Sequence, residues 1–172
     1  MGNVLQFVGY KNAGKTTFIE SLLVYLQRDS YNIATIKHHG HGGEPDGMTD
    51  SRRFLEKGAT SSLVEGDGTI HLATTVGDGS LKQLVQMQEV LCQPDLILIE
   101  GWKQASFPKV VCLRDDQDQD LLSLDSICCV LTASSLRGEA VPYPLFQRDD
   151  PAALLFIKEL LDREKEVHSC MN

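Results

Sequence analysis

The stretch GYKNAGKTT, Gly9 to Thr17, directly follows the apolar run Val4 to Val8, and its reading decides the fold. Glycine adopts backbone angles that other residues avoid and lets a backbone approach a ligand closely. The spacing Gly9-x-x-x-x-Gly14-Lys15-Thr16 is that of a phosphate-binding loop. In such a loop successive amide N–H groups curl around phosphate oxygens, and the following helix adds the positive end of its dipole. Lys15 would reach the β- and γ-phosphates, and the Thr16 hydroxyl would serve Mg²⁺. Chance should place the four fixed positions in fewer than about 1 in 100 chains of this length. The flanks agree with the motif. Val4 to Val8 reads as a short buried strand, and Phe18, Ile19, Leu22, Leu23 and Leu26 recur at helical spacing.

Outward from the loop, strand-like and helix-like segments alternate. IATIK (Ile33–Lys37), LILIE (Leu96–Glu100), KVVCL (Lys109–Leu113) and ICCVL (Ile127–Leu131) read as strands. Their apolar runs are continuous rather than alternating, as in strands covered on both faces. Helices are expected from Thr49 or Asp50 through Leu55, from Ser80 to a stop at Pro94, and from the Asp150-Pro151 cap to about Arg163. SSLVEGDGTIHLATTV, Ser61 to Val76, has two β-rich arms around Asp67-Gly68, a strong hairpin signal. The expected fold is α/β: a P-loop NTPase with a mostly parallel central sheet flanked by helices and an extra β-hairpin. Residues 1–165 are expected to form a single nucleotide-binding domain, with 166–172 a frayed tail.

The bulk composition narrows the partners. The 172 residues are 42% hydrophobic and 23% charged, with a net charge of −8. That charge argues against nucleic acid as a partner. No apolar run has the length of a membrane span, and no signal peptide opens the chain, so a cytoplasmic protein is expected. The five cysteines lack C-x-x-C spacing and read as small buried hydrophobes.

A phosphate loop needs an acid for Mg²⁺, commonly at the carboxyl end of a buried strand. Glu100 is so placed, whereas Asp95 lies at the opposite edge. The alternative for Glu100 is a structural pair with a base such as Lys103. After the second strand comes Lys37-His38-His39-Gly40-His41, a loop suited to phosphate or partner contact, to metal, or simply to solvent. Asp46 or Asp50 could complete a Mg²⁺ shell, and Arg52 and Arg53 could meet an anion. Leu131 to Ser135 is a place for a base-contacting loop, but these residues do not separate GTP from ATP.

GYKNAGKTT, TIKHHGHG, the segment Asp50 to Ala59 with its D-S-R-R and G-A, and LILIEGWK with Pro108-Lys109 together resemble the molybdopterin-guanine dinucleotide biosynthesis protein B family. The resemblance covers nearly the whole chain. It implies a homodimeric GTP-binding adaptor with weak GTPase activity and Mg²⁺, whose partner is the guanylyltransferase that joins GMP to molybdopterin; molybdopterin itself is a further candidate ligand. Carried onto this sequence, Gly9, Tyr10, Lys11, Asn12, Ala13, Gly14, Lys15, Thr16 and Thr17 hold the phosphates, and Thr16 and Glu100 serve the metal; from the residues themselves, Lys15 and Glu100 are the candidates to serve hydrolysis and Asp46 a candidate further metal ligand. The sequence offers no arginine finger or water-positioning glutamine, so hydrolysis should be slow. Two rival readings are a metallochaperone-type GTPase using the histidine loop and a P-loop small-molecule kinase.

Overall fold

The computed structural model describes residues 3–38, 49–74, 80–133 and 141–169. In chain order the elements are β1 (Asn3–Val8), α1 (Lys15–Gln27), β2 (Ile33–Lys37), α2 (Thr49–Glu56), β3 (Ser61–Gly66), β4 (Thr69–Thr74), α3 (Leu81–Cys92), β5 (Leu96–Glu100), β6 (Lys109–Leu113), a 3-10 helix (Asp116–Ser123), β7 (Ile127–Thr132), β8 (Leu145–Gln147) and α4 (Pro151–Ser169). They fall into two compact units, residues 39–84 and the remainder, with the division inside α3.

The larger unit holds a six-stranded sheet in the order β2-β5-β1-β6-β7-β8. Every pairing in it is parallel. Parallel neighbours need crossovers, and helices and loops supply them. After β1 the chain moves to the β2 side, and after β5 it returns past β1 to β6. In an open sheet such a reversal leaves a crevice at the carboxyl ends of the strands, where ligands bind.

Period-two alternation sends Leu5 and Phe7 of β1, Leu96 and Leu98 of β5, Val110 and Cys112 of β6, and Cys129 and Leu131 of β7 to one face. There they form one cluster with Phe18, Ile19, Leu22 and Leu26 of α1 and Ala153, Ile157 and Leu161 of α4. Each Leu, Ile, Val or Phe side chain among them contributes about 1.5–3 kcal/mol by leaving water. On the other face Val8, Val111, Leu113 and Val130 meet Leu121 of the 3-10 helix.

Two elements differ from the sequence expectation by addition. β8 is three residues long and follows Pro144, too short to display a period. The 3-10 helix reads in sequence as a polar loop, DQDQDLLS. Its Asp118 is nevertheless fully buried. The carboxylate accepts from the Arg114 backbone N–H (2.9 Å) and from the Arg114 guanidinium (2.5 Å). The Arg114 guanidinium holds the Asp118 carboxyl below the usual carboxylate range. α4 runs on to Ser169, past Arg163, through a Glu- and Lys-rich sequence that favours helix.

The cysteine expectation needs one correction. Cys112 and Cys129 are buried, and burial pushes both thiols up to about 12. Cys92, however, at the last position of α3, is exposed, and Cys128 of β7 is only half-buried. Cys170 lies outside the described residues.

In the smaller unit α2 is followed by the antiparallel pair β3–β4. Asp67 (φ 49°) and Gly68 (φ 76°) make the left-handed two-residue turn that matches strand twist. The Ser62 hydroxyl donates to Ser51 of α2 (3.0 Å), so the Ser62 side of the hairpin faces that helix.

Candidate functional site

The phosphate loop bridges β1 and α1 at the carboxyl edge of the sheet. Asn12 (φ 63°) and Gly14 (φ 78°) are both left-handed, which curls the backbone. Ala13 is fully buried and anchors the loop from below. α1 starts at Gly14 without a side-chain cap, so its first N–H groups are left for another acceptor. Lys11, Asn12, Thr16 and Thr17 are exposed. The Lys15 ammonium donates to the Tyr10 carbonyl (2.8 Å). Burial lowers the Lys15 pKa, the nearby charges of Lys103 and Lys37 lower it further, and Glu100 opposes them.

Thr16 and Glu100 lie 84 residues apart in the chain and meet here. The Thr16 hydroxyl approaches both carboxylate oxygens, at 2.9 and 3.1 Å. Strand register makes the meeting possible: Glu100 pairs with Phe7 of β1 on one side and with Lys37 of β2 on the other. The partner of Glu100 is Lys37 rather than Lys103, with an ammonium–carboxylate distance of 3.2 Å. Lys37 also donates to the Thr16 hydroxyl (3.0 Å). Thr16, Lys37 and Glu100 thus form one cluster beside the loop.

Asp95 accepts from the Asn32 N–H at the opposite edge (2.8 Å), a purely structural bond. His38 stacks on Trp102, with ring centroids 4.6 Å apart. His39, His41, Asp46, Ser134 and Ser135 lie outside the described residues. Asp50 and Arg53 pair within α2 (3.5 Å), and Arg52 donates to Glu56 (3.1 Å), so these four form helix-surface pairs. Among the described residues no three His, Cys, Asp or Glu side chains gather as a metal centre requires. No described helix is long and apolar enough to cross a membrane.

Two residues beside the loop, Arg148 and Asp120, escape a sequence reading. The Arg148 guanidinium follows β8 and lies against Gly14, in the space a Cβ there would fill. The Tyr10 hydroxyl donates to Asp120 of the 3-10 helix (2.5 Å), and this bond raises the tyrosine pKa. Both depend on segments without a periodic pattern.

A family model described as molybdopterin guanine dinucleotide synthesis protein B matches residues 4–133. The chain belongs to the MobB family. It is 36% identical over 165 residues to a probable molybdopterin-guanine dinucleotide biosynthesis adapter protein of Bacillus subtilis, covering 94% of each chain. The solved structure of Bacillus subtilis MobB is similar at a TM-score of 0.79 and 34% identity, over 91% of this chain and 96% of that one. A MobB homologue from Bacillus stearothermophilus gives a TM-score of 0.76 and 31% identity, over 94% and 99%. The family's fold is thus the α/β sheet described above, and the phosphate loop and Glu100 fall within the matched span.

Proposed function

We propose that this protein is a GTP-binding adaptor of molybdopterin guanine dinucleotide biosynthesis, with slow GTP hydrolysis, acting in the cytoplasm beside the guanylyltransferase that joins GMP to molybdopterin. The observation that supports it is the grouping of Lys15, Thr16 and Glu100 at the mouth of the sheet in a MobB-family chain. In this reading the backbone from Gly9 to Thr17 cradles the phosphates and Lys15 adds charge to the β- and γ-phosphates.

The Thr16 hydroxyl and Glu100 carboxylate are hard oxygen donors side by side, the type magnesium prefers. They would hold Mg²⁺, with Asp46 a candidate third ligand. Bound there, the ion would neutralise charge on the phosphate oxygens. Lys37 meanwhile donates to the Thr16 hydroxyl and neutralises the Glu100 carboxylate.

Calorimetric titration with GTP and with ATP, each with Mg²⁺, tests the guanine assignment. GTP is expected to bind at least about tenfold more tightly, a difference of about 1.4 kcal/mol. Equal affinity would leave the phosphate loop standing and remove the guanine assignment. Titration of the GTP-loaded protein into the guanylyltransferase should give a stoichiometric complex. No heat there would overturn the adaptor role.

The reading includes a homodimer. Period-two alternation puts Leu63, Ile70 and Leu72 on the hairpin face opposite Ser62, and all three are exposed. A two-stranded sheet with open edges is marginal alone, and open edges pair readily. A second copy of the same hairpin would cover both edge and face. Leu63→Glu with Leu72→Glu is expected to weaken the dimer at least about 100-fold, since each apolar side chain contributes about 1.5–3 kcal/mol on burial. Sedimentation velocity would read this, and an unchanged dimer would exclude the hairpin as interface.

A further inference from the structure

We propose that Lys103 is a further phosphate-binding cation, resting on the face of Tyr10 and presented to the third phosphate of a nucleoside triphosphate. This rests on the nucleotide reading above. The Lys103 ammonium lies 3.7 Å from the centre of the Tyr10 ring, and Tyr10 is the second residue of the phosphate loop. The late residues of such a loop cradle the α- and β-phosphates. The Tyr10 end is therefore where a third phosphate comes.

Lys103 is held there by construction. Gly101 (φ 112°) and Trp102 (φ 48°) turn the chain sharply after Glu100. The Trp102 carbonyl accepts from the Ala105 N–H (2.8 Å), closing a turn that carries Lys103 at its second position. Two fully buried polar side chains fasten this loop from beneath. Gln6 donates to the carbonyls of Gly101 and Trp102, both at 2.6 Å. Lys109 donates to those of Ala105 (2.6 Å) and Phe107 (3.0 Å). The ring is fixed as well, since the Tyr10 hydroxyl is tied to Asp120.

The neighbouring charges leave Lys103 uncommitted. Asp118 feels its charge, but both Asp118 oxygens accept from Arg114. Lys37 is neutralised by Glu100, and Lys15 has the Tyr10 carbonyl. Among the described residues Lys103 makes no hydrogen bond or ion pair, only the ring contact. A cation on the half-buried Tyr10 ring is held less strongly than one in a charge-assisted bond to phosphate. The charges of Lys103 and Lys37 both disfavour the charge on Lys15, opposed by Glu100, and an added anion would relieve them further.

The test is calorimetric titration of wild type and Lys103→Met with Mg²⁺-GTP and with GDP. Loss of one charge-assisted contact should weaken GTP by about tenfold and leave GDP within about twofold. Lys103→Arg should retain most of the GTP affinity. Trp102 is the only tryptophan, so its emission reports whether the loop stays in place in each variant. Equal loss for both nucleotides, with altered emission, would overturn the proposal and leave Lys103 as a prop for its loop. Unchanged affinity for both would overturn it outright. A wild type that binds neither nucleotide would instead bring down the phosphate-loop reading, and this proposal with it.

Discussion

Lys15→Ala is expected to lose at least about 100-fold in GTP affinity while the protein stays folded. Each charge-assisted hydrogen bond from an ammonium to phosphate contributes about 1.5–3 kcal/mol, and two phosphates are within reach of this one group. The combined loss converts to between about 10² and 10⁴ in the dissociation constant. The fold does not depend on the side chain. α1 is held by Phe18, Ile19, Leu22 and Leu26 in the core, and Lys15 contributes only a bond to the Tyr10 carbonyl. That carbonyl sits on a loop open to water, so losing its donor should shift the thermal midpoint by no more than a few degrees. Calorimetric titration with thermal unfolding alongside separates the two effects. Unchanged GTP affinity would sink the phosphate-loop assignment, and a large fall in midpoint would mean that the lysine is structural.

The phosphate loop was legible because its requirements are local. Two glycines, a lysine and a threonine must stand within nine residues, between an apolar run and a helical period. Glu100 was legible as an acid at the end of LILIE, but its partner was not. Lys37 and Glu100 are neighbours only because β2 lies beside β5, and parallel pairing leaves no trace in adjacent sequence. Lys103, the nearer base in sequence, turned out to belong to Tyr10. The sheet order was hidden for the same reason. So was β8, whose three residues cannot show alternation, and with it the placement of Arg148 against Gly14. Asp118 misled in another way. Set among Asp and Gln it looks like a solvated acid. Its only signal was the i, i+4 spacing from Arg114, and that spacing more often marks an exposed pair.

On the proposed nucleotide reading, the three ammonium groups would let a protein with a net charge of −8 attract a polyphosphate. Potential near a ligand is set by the closest charges, and distant surface acids are screened within about 10 Å at moderate salt. Lys15, Lys37 and Lys103 would act on it at contact range, together with the uncapped start of α1. Glu100 is the acid that tempers this field, and it does so at the position where a hard cation would sit.

Gly9→Ala is expected to damage stability and binding together, unlike Lys15→Ala. A Cβ on Gly9 would come within 2.5 Å of the Cys112 carbonyl oxygen and 3.1 Å of the Ala13 Cβ. Neither neighbour can swing away. Cys112 is backbone in β6, fully buried, and Ala13 is the buried anchor of the loop. The strain must therefore be relieved by parting β1 from β6 or by lifting the loop. Overpacking of this kind typically costs about 1–3 kcal/mol. The same displacement misplaces the amide N–H groups that curl around phosphate, so GTP affinity should fall by at least about tenfold. Gly14→Ala makes the useful contrast. There the obstacle is the Arg148 guanidinium, the end of a flexible side chain, and the main cost is the left-handed backbone, about 1–2 kcal/mol. Denaturant unfolding and GTP titration of both variants would separate them. If Gly9→Ala kept full stability and affinity, the close passage of the loop over β6 would not be what demands glycine at the first position.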